Sequence, residues 1–120
     1  MASTTQVLGA AHEATVAELL QTEGLTIVAR NFHCKMGEID IVATRQRALH
    51  FVEVRYRRDD RYGNGADSVT IAKQAKLKRS AKYFLHCNPE YHSFHCQFDV
   101  VSVTGTHSPY DINWITDAFS

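Results

Sequence analysis

The chain has 120 residues, of which 44% are hydrophobic and 22% charged. This length and composition predict one compact domain over residues 1–120 and leave too little chain for a second core. No segment approaches 18 consecutive apolar residues, and the first residues lack a signal-peptide pattern, so we expect neither membrane insertion nor secretion. The three cysteines have no framework spacing, which favours reduced thiols in a cytoplasmic protein.

The formal net charge is zero, but the charges are unevenly distributed. From Arg55 to Lys82 there are nine basic residues and three acids, a local balance of +6, and the rest of the chain carries −6. This asymmetry predicts a basic face for a phosphate backbone, although ordinary solvated lysines on a helix would give the same pattern. The candidate nucleic-acid-binding residues are Arg57, Arg58, Lys73, Lys76 and Arg79.

The first predicted element is a helix over about Val7 to Thr22, which ends near Gly24. Glu13 lies three and seven positions before Val16 and Leu20, two residues of the apolar stripe, so it points to the buried side. An inward carboxylate has two explanations. It caps or pairs structurally, or it helps to hold a metal ion or the water bound to it.

Three strands come next, at residues 26–34, 38–44 and 49–56. The second and third are apolar on both faces, which is typical of interior strands covered by helices. Alternation divides the second strand into two faces, one with Ile39, Ile41 and Ala43 and the other with Glu38, Asp40, Val42 and Thr44.

The hairpin made by the second and third strands carries two carboxylates. A four-residue connection over 45–48, with Thr44 opposite Leu49, places Asp40 opposite Glu53. Opposed Cβ atoms lie roughly 4.5 to 5.5 Å apart, and two charges at about 5 Å repel by about 3 kcal/mol at an effective dielectric near 20. A bound Mg²⁺ is the simplest way to remove this cost. The alternative is a pair of solvated carboxylates on an exposed sheet face.

A loop containing residues 62–65 precedes a second helix over about 68–86. Ser68 is the expected N-cap, and Lys73 lies beside the apolar stripe, from which it could reach toward the sheet. Strands at 94–103 and around 112–115 complete the chain. The expected fold is α/β, with the order αβββαββ and helices packed on a mixed sheet. The side chains that this second helix is expected to bury are Leu77, Ala81, Phe84 and Leu85.

Several spaced motifs agree with one known family. The sequence resembles the bacterial YraN-like family of uncharacterised proteins from Gly9 to Phe119, and Asn31, Arg57 and Gly63 also look like family positions. That family is similar to the archaeal Holliday-junction resolvases of the restriction-endonuclease-like superfamily. The motifs are Glu13, Gly37-Glu38-Ile39-Asp40, Phe51-Val52-Glu53-Val54-Arg55, Lys73 and Phe98-Asp99-Val100-Val101.

This resemblance implies a restriction-endonuclease-like fold and a catalytic site built around Mg²⁺ or Mn²⁺. Asp40 and Glu53 would be metal ligands, Glu13 an accessory carboxylate, and the backbone carbonyl of Val54 a further ligand. Arg55 would occupy the catalytic lysine position of the superfamily. Because the related resolvases act as dimers, the resemblance also makes a homodimer possible.

The sequence departs from the family pattern at two positions. Arg55 stays protonated and cannot serve as a base, although it can bind a phosphate bidentately and stabilise negative charge. Gln97 stands where many relatives carry an arginine.

Three functions therefore stay open. The first is a Mg²⁺-dependent nuclease acting on branched or structured DNA, and the second is a non-catalytic nucleic-acid-binding protein with the same fold. The third is an adaptor with a stabilising ion pair among Glu53, Arg55 and a neighbour.

Three His-Cys pairs raise the possibility of a zinc site. Adjacent residues of a strand point to opposite faces, so such a pair can scarcely give both ligands to one ion. The spacings match no zinc finger or ribbon, and we do not expect zinc. The pairs are His33-Cys34, His86-Cys87 and His95-Cys96.

Overall fold

The computed structural model describes residues 4–58 and 69–120, with side chains from residue 11 onward. Within these ranges, five strands form one sheet, with one helix before the first strand and another between the third and fourth. The predicted order αβββαββ is confirmed. The elements are α1 (Thr4–Thr22), β1 (Thr26–Cys34), β2 (Gly37–Arg45), β3 (Ala48–Arg57), α2 (Ile71–Cys87), β4 (His95–Thr104) and β5 (Asp111–Phe119), with a 3-10 turn at Pro89–Tyr91.

The sheet is mixed and its strands lie in sequence order from β1 to β5. The pairs β1–β2, β2–β3 and β4–β5 are antiparallel, and β3–β4 is parallel. Parallel neighbours need a long connection, and α2 lies within it. This topology makes β2, β3 and β4 the interior strands, which confirms the prediction drawn for β2 and β3 from their apolar character on both faces.

Two hydrophobic clusters lie on opposite faces of the sheet. On one face, Val16 and Leu20 of α1 pack with Ile41 and Val52. On the other, the buried side of α2 packs against β2, β3 and β4. The members of this second cluster from α2 are Leu77, Ala81 and Phe84, and those from the sheet are Ile39, Val42, Leu49, Phe51 and Val100.

The helix ends follow local chemistry. Gly24 has a φ of +94° and its N–H donates to the carbonyl of Gln21, as expected for a helix stop after Thr22. Helix α2 begins at Ile71, and its N-cap is Thr70, whose hydroxyl accepts a bond from the N–H of Lys73. The prediction of Ser68 as N-cap was wrong, because the helix starts two residues later. Ser68 and the loop at 62–65, including Gly63, lie outside the described residues.

The register of the central hairpin agrees with the prediction, but its turn does not. Thr44 pairs with Leu49, as expected, and the ladder continues through Ile41 and Val52. Arg45 also pairs with Ala48, so the connection is the two-residue turn 46–47 instead of a four-residue loop. Gln46 adopts a φ of +57°, the left-handed conformation that two-residue hairpin turns require.

The predicted alternation along β2 fails at one place. Ile41 and Ala43 face α1 as one set, but Ile39 belongs to the cluster under α2. The interruption coincides with Asp40, whose side chain accepts the N–H of Val54. The regular alternation of β2 is therefore interrupted between Ile39 and Ile41, and Asp40 lines a cavity with residues of α1.

Within the described residues, neither helix is long and apolar enough to cross a membrane.

Candidate functional site

Asp40 lies where regular pairing between β2 and β3 ends. The ladder ends on this side with the pair Ile41 and Val52. One residue further, Oδ2 of Asp40 accepts the backbone N–H of Val54 at 2.8 Å. The carboxylate thus replaces a main-chain acceptor and is held directly beside the strand that carries Glu53.

The surroundings of Asp40 disfavour a negative charge. Burial and the negative charge of Glu53 raise its pKa to about 8, with smaller contributions from Glu13 and Glu38, against the lowering effect of the Val54 N–H bond. A carboxyl that stays protonated near neutral pH is well suited to bind a cation, since a cation would lower the cost of its ionisation. Asp40 and Glu53 therefore interact electrostatically, but the predicted direct pairing of these two residues lies beyond the last pair of the ladder, Ile41 with Val52.

Glu53 has different surroundings, although it lies close to Asp40. It is only 5% exposed, and its Oε1 lies 2.9 Å from Nζ of Lys73 and 3.7 Å from Nη1 of Arg55. Lys73 belongs to the first turn of α2 and reaches the sheet, as its position beside the apolar stripe predicted. A buried carboxylate needs such partners, so the protein itself provides cations for Glu53.

Glu13 approaches the site from α1. Its side chain is half-buried, and burial raises its pKa, while a hydrogen bond with Asp40 and the charge of Arg30 oppose that shift. With its amide nitrogen turned toward the carboxylate, Asn31 donates to Oε1 at 2.8 Å and to Oε2 at 3.3 Å. Asn31 has a φ of +53°, which asparagine tolerates. Glu13 therefore lies beside Asp40. Both roles that the sequence left open for Glu13, structural pairing and help in holding a metal ion, are compatible with this position.

Two cavities border the carboxylates from opposite sides of the sheet. One of about 220 Å³ on the α1 side is lined by Glu13, Asp40 and Tyr56 among others. The second, of about 360 Å³, on the α2 side, is lined by Glu53, Lys73 and others. Glu38 borders both cavities. The alternation had placed Glu38 on the face of Asp40, and this could have identified it as a further member of the site.

The donor set suits magnesium better than zinc. Across residues 4–58 and 69–120, no group of three or more His, Cys, Asp or Glu side chains is arranged to hold a metal ion. Magnesium commonly uses only one or two carboxylates, with water and substrate phosphate as its other ligands. Asp40 and Glu53, which interact with each other electrostatically, provide two carboxylates of that kind.

The predicted nucleic-acid-binding residues lie in three different places. Lys73 and Lys76 both line the cavity that contains Glu53, and Arg57 and Arg58 follow Arg55 at the end of β3. Arg79 lies further along α2, beside a separate cavity of about 400 Å³ that has a mostly apolar lining. The structure therefore brings Lys73 and Lys76 to the carboxylates, and does not bring Arg79 there.

Sequence reasoning missed His12, which precedes Glu13 on α1. The residue is 4% exposed, and among the residues that the structure describes its Nε2 finds no hydrogen-bond partner. Its ring stacks on Tyr56, with 4.4 Å between the ring centres and 9° between the planes, and burial lowers its pKa. His12 and Tyr56 line the same cavity as Asp40. No signal in the sequence beyond adjacency to Glu13 could have identified His12.

Asp99 belongs to a separate buried network. The residue is 1% exposed. Its carboxylate lies 2.7 Å from Nδ1 of His50 and accepts bonds from Gln97, from the indole of Trp114 and from the Asp117 N–H. Burial by itself would raise the pKa of Asp99, but these four bonds lower it further than burial raises it. Asp99 thus joins β3, β4 and β5, and Gln97 has a structural partner.

Comparisons with known proteins connect this geometry to a family. The model for the uncharacterised protein family UPF0102 matches residues 12–103, a range that includes Glu13, Asp40, Glu53 and Lys73. A UPF0102 protein of Nitrosococcus oceani is 41% identical over 107 residues, covering 89% of this chain and 86% of that protein.

Two further relatives cover more of the chain. A UPF0102 protein of Saccharophagus degradans is 44% identical over 112 residues, covering 93% of this chain and 92% of that protein. One from Xanthomonas euvesicatoria is 45% identical over 119 residues, covering 99% and 96%. The chain therefore belongs to the UPF0102 family of bacterial proteins.

Proposed function

We propose that this protein is a Mg²⁺-dependent nuclease that hydrolyses phosphodiester bonds in DNA, with branched or structured DNA as the preferred substrate. The observation that carries the proposal is the placement of Asp40, which accepts the Val54 N–H at 2.8 Å and lines one cavity with Glu13 and Glu38. Burial and the nearby charge of Glu53 raise the pKa of Asp40, and a divalent cation would relieve that repulsion. The neighbouring Lys73 and Lys76 provide positive charge for a phosphate backbone.

In this proposal Asp40 and Glu53 hold the ion, the backbone carbonyl of Val54 assists, and Glu13 is the accessory carboxylate. When bound, Mg²⁺ or Mn²⁺ supplies a water of lowered pKa and stabilises charge that develops on the phosphate. Arg55 cannot accept a proton and instead binds the phosphate oxygens. Lys73, which lies 2.9 Å from Glu53, would be available to bind the phosphate where an ion compensates Glu53.

The wider assignment is part of the same proposal. The order αβββαββ, with both carboxylates on the central hairpin and one on α1, supports a place in the restriction-endonuclease-like superfamily and the kinship with YraN-like proteins. Three unbridged thiols, Cys34, Cys87 and Cys96, support a cytoplasmic location. A homodimer stays a prediction that sedimentation would test.

The decisive experiment incubates the protein with junction, flap, single-stranded and duplex DNA in Mg²⁺ or Mn²⁺. We expect metal-dependent cleavage by the wild type and by Asp111→Asn, a control at an exposed aspartate on β5, and none by Asp40→Asn. Arg55→Lys restores the usual superfamily lysine and is expected to raise the rate. Absence of product from both the wild type and Arg55→Lys, or equal cleavage by Asp40→Asn, would reject the proposal.

One observation favours a second function, that of a non-catalytic nucleic-acid-binding protein. Nζ of Lys73 lies 2.9 Å from Glu53, and Arg55 adds a second cation to the same carboxylate. An ion pair of this kind compensates Glu53 without a metal, which a protein with no catalytic activity could retain for stability.

Binding and cleavage are separable by measuring affinity at several salt concentrations. A binding protein should lose affinity steeply as salt rises, and Asp40→Asn should bind as well as the wild type, because the substitution removes no basic contact to the phosphates. Affinity that does not change with salt would count against this second function.

A further inference from the structure

Tyr56 presents an aromatic surface beside the carboxylates that the proposed function leaves without a role. Its side chain is 39% exposed, and it lines the same cavity of about 220 Å³ as Glu13 and Asp40. Because His12 covers one ring face at a centre-to-centre distance of 4.4 Å, the exposed area belongs to the opposite face and the ring edges.

The ring is fixed in place from three directions. The Tyr56 hydroxyl donates to the carbonyl of Gly105 at 2.6 Å. His12 stacks nearly parallel to it, at an angle of 9°, and Tyr110 meets both rings edge-on, 4.9 Å from His12 and 6.1 Å from Tyr56. An aromatic side chain held this way loses little conformational freedom when a flat ligand stacks on it.

We propose that the Tyr56–His12 stack is a platform for one unpaired nucleobase, an inference that rests on the proposed function. The base would stack on the exposed face of Tyr56 while its phosphate lies near Glu13 and Asp40. The substrate class is therefore nucleic acid with a single-stranded or splayed nucleotide at the site, instead of an uninterrupted duplex.

Base chemistry supports this ligand over others. Every nucleobase has a flat π-face, and single-stranded nucleic acids are commonly bound by aromatic side chains beside a basic groove. Bases inside a duplex are already stacked on their neighbours and cannot reach such a ring without leaving the helix. The lysines of the proposed site, Lys73 and Lys76, line the second cavity, on the α2 side, which shares Glu38 with the cavity of the platform.

The test measures binding without divalent metal, so that cleavage does not interfere. A single-stranded oligonucleotide containing 2-aminopurine and a duplex of the same sequence are titrated with the wild type, Tyr56→Leu, Tyr56→Trp and Tyr83→Leu. Tyr83 is a matched control, because it is 42% exposed but lies on α2 against Phe32.

We expect Tyr56→Leu to weaken single-strand binding by about tenfold, within the range that loss of one base–aromatic stack produces, and to change duplex binding by less than twofold. The 2-aminopurine fluorescence should be quenched by the wild type and Tyr83→Leu and remain unquenched with Tyr56→Leu. Tyr56→Trp keeps a stacking ring and should quench as the wild type does, which keeps the test valid if the leucine variant fails to fold.

Equal weakening of single-strand and duplex binding by Tyr56→Leu, or unchanged quenching, would overturn the inference while leaving the nuclease proposal intact. Should Tyr56→Leu fail to fold, a Tyr56→Trp protein that folds but does not quench would overturn it as well. Failure of the wild type to bind any nucleic acid would overturn this inference, whereas the nuclease proposal is decided separately by the cleavage assay in Mg²⁺ or Mn²⁺.

Discussion

The raised pKa of Asp40 makes a prediction about stability that can be measured without a substrate. In the folded protein Asp40 keeps its proton up to a pH of about 8, whereas in the unfolded chain it ionises near its ordinary value of about 3.9. Between these values the folded state binds one proton more than the unfolded state. The free energy of unfolding should therefore fall as the pH rises through this window, by about 1.4 kcal/mol per pH unit.

The magnitude follows from the pKa. From pH 5.5 to pH 7.5 the Asp40 contribution falls by about 2 to 3 kcal/mol, because the slope decreases only as the pH approaches 8. The Asp40→Asn variant cannot ionise at this position and should lack that part of the decrease. Histidines also titrate in this range, so the informative quantity is the difference between wild type and variant at each pH.

Urea unfolding at several pH values is the assay, with Asp111→Asn as the control for loss of an exposed carboxylate on β5. At pH 7.5, Mg²⁺ should raise the melting temperature of the wild type and leave that of Asp40→Asn unchanged, since the ion stabilises the ionised carboxylate. If the free energy of unfolding changes with pH in the same way for the wild type and Asp40→Asn, the raised pKa of Asp40 is refuted. This outcome does not depend on the result of the nuclease assay.

Three other substitutions test separate parts of the structure. Asp99→Asn should lower the free energy of unfolding by about 3 kcal/mol, measured with urea, because buried donors lose a charged acceptor. Thr70→Ala removes the N-cap of α2 and should cost about 1 kcal/mol in the same assay, with unchanged stability as the contrary result. Lys73→Met removes one of the two cationic partners of the Glu53 carboxylate. The rise in melting temperature caused by Mg²⁺ should therefore be larger by about 4 °C, which corresponds to about 1 kcal/mol. A rise equal to that of the wild type would show that Lys73 does not compete with the ion.

The order of elements and the hairpin register could be predicted because both depend on local sequence periodicity. Strands with apolar residues on both faces must lie inside a sheet, and pairing Thr44 with Leu49 follows from keeping Val42 and Phe51 in one core. The turn itself was harder to predict. Gln46 in a left-handed conformation extends the ladder by one more pair, and glutamine carries no strong signal for that conformation.

Side-chain direction at Asp40 could not be predicted from alternation. The two-residue period holds only while the pleat is regular, and the bond from the Val54 N–H to Asp40 interrupts it. The sequence indicated that Lys73 could reach toward the sheet, but it did not identify Glu53 as the partner of Lys73. The two residues are 20 positions apart and lie on different elements. Contacts between distant segments such as these depend on the packing angle of α2, which no local pattern contains.

The two central carboxylates differ in a way that sharpens the choice of function. Glu53 has Lys73 and Arg55 as partners, but the interactions that surround Asp40 leave its pKa raised to about 8. A purely structural ion-pair network would be expected to compensate both groups, because an uncompensated buried carboxyl lowers stability. Asp40, the carboxyl without a cationic partner of this kind, lines a cavity together with Glu13. This asymmetry is explained if Asp40 is kept for a cation from outside the chain and Lys73 holds Glu53 in place until that cation binds.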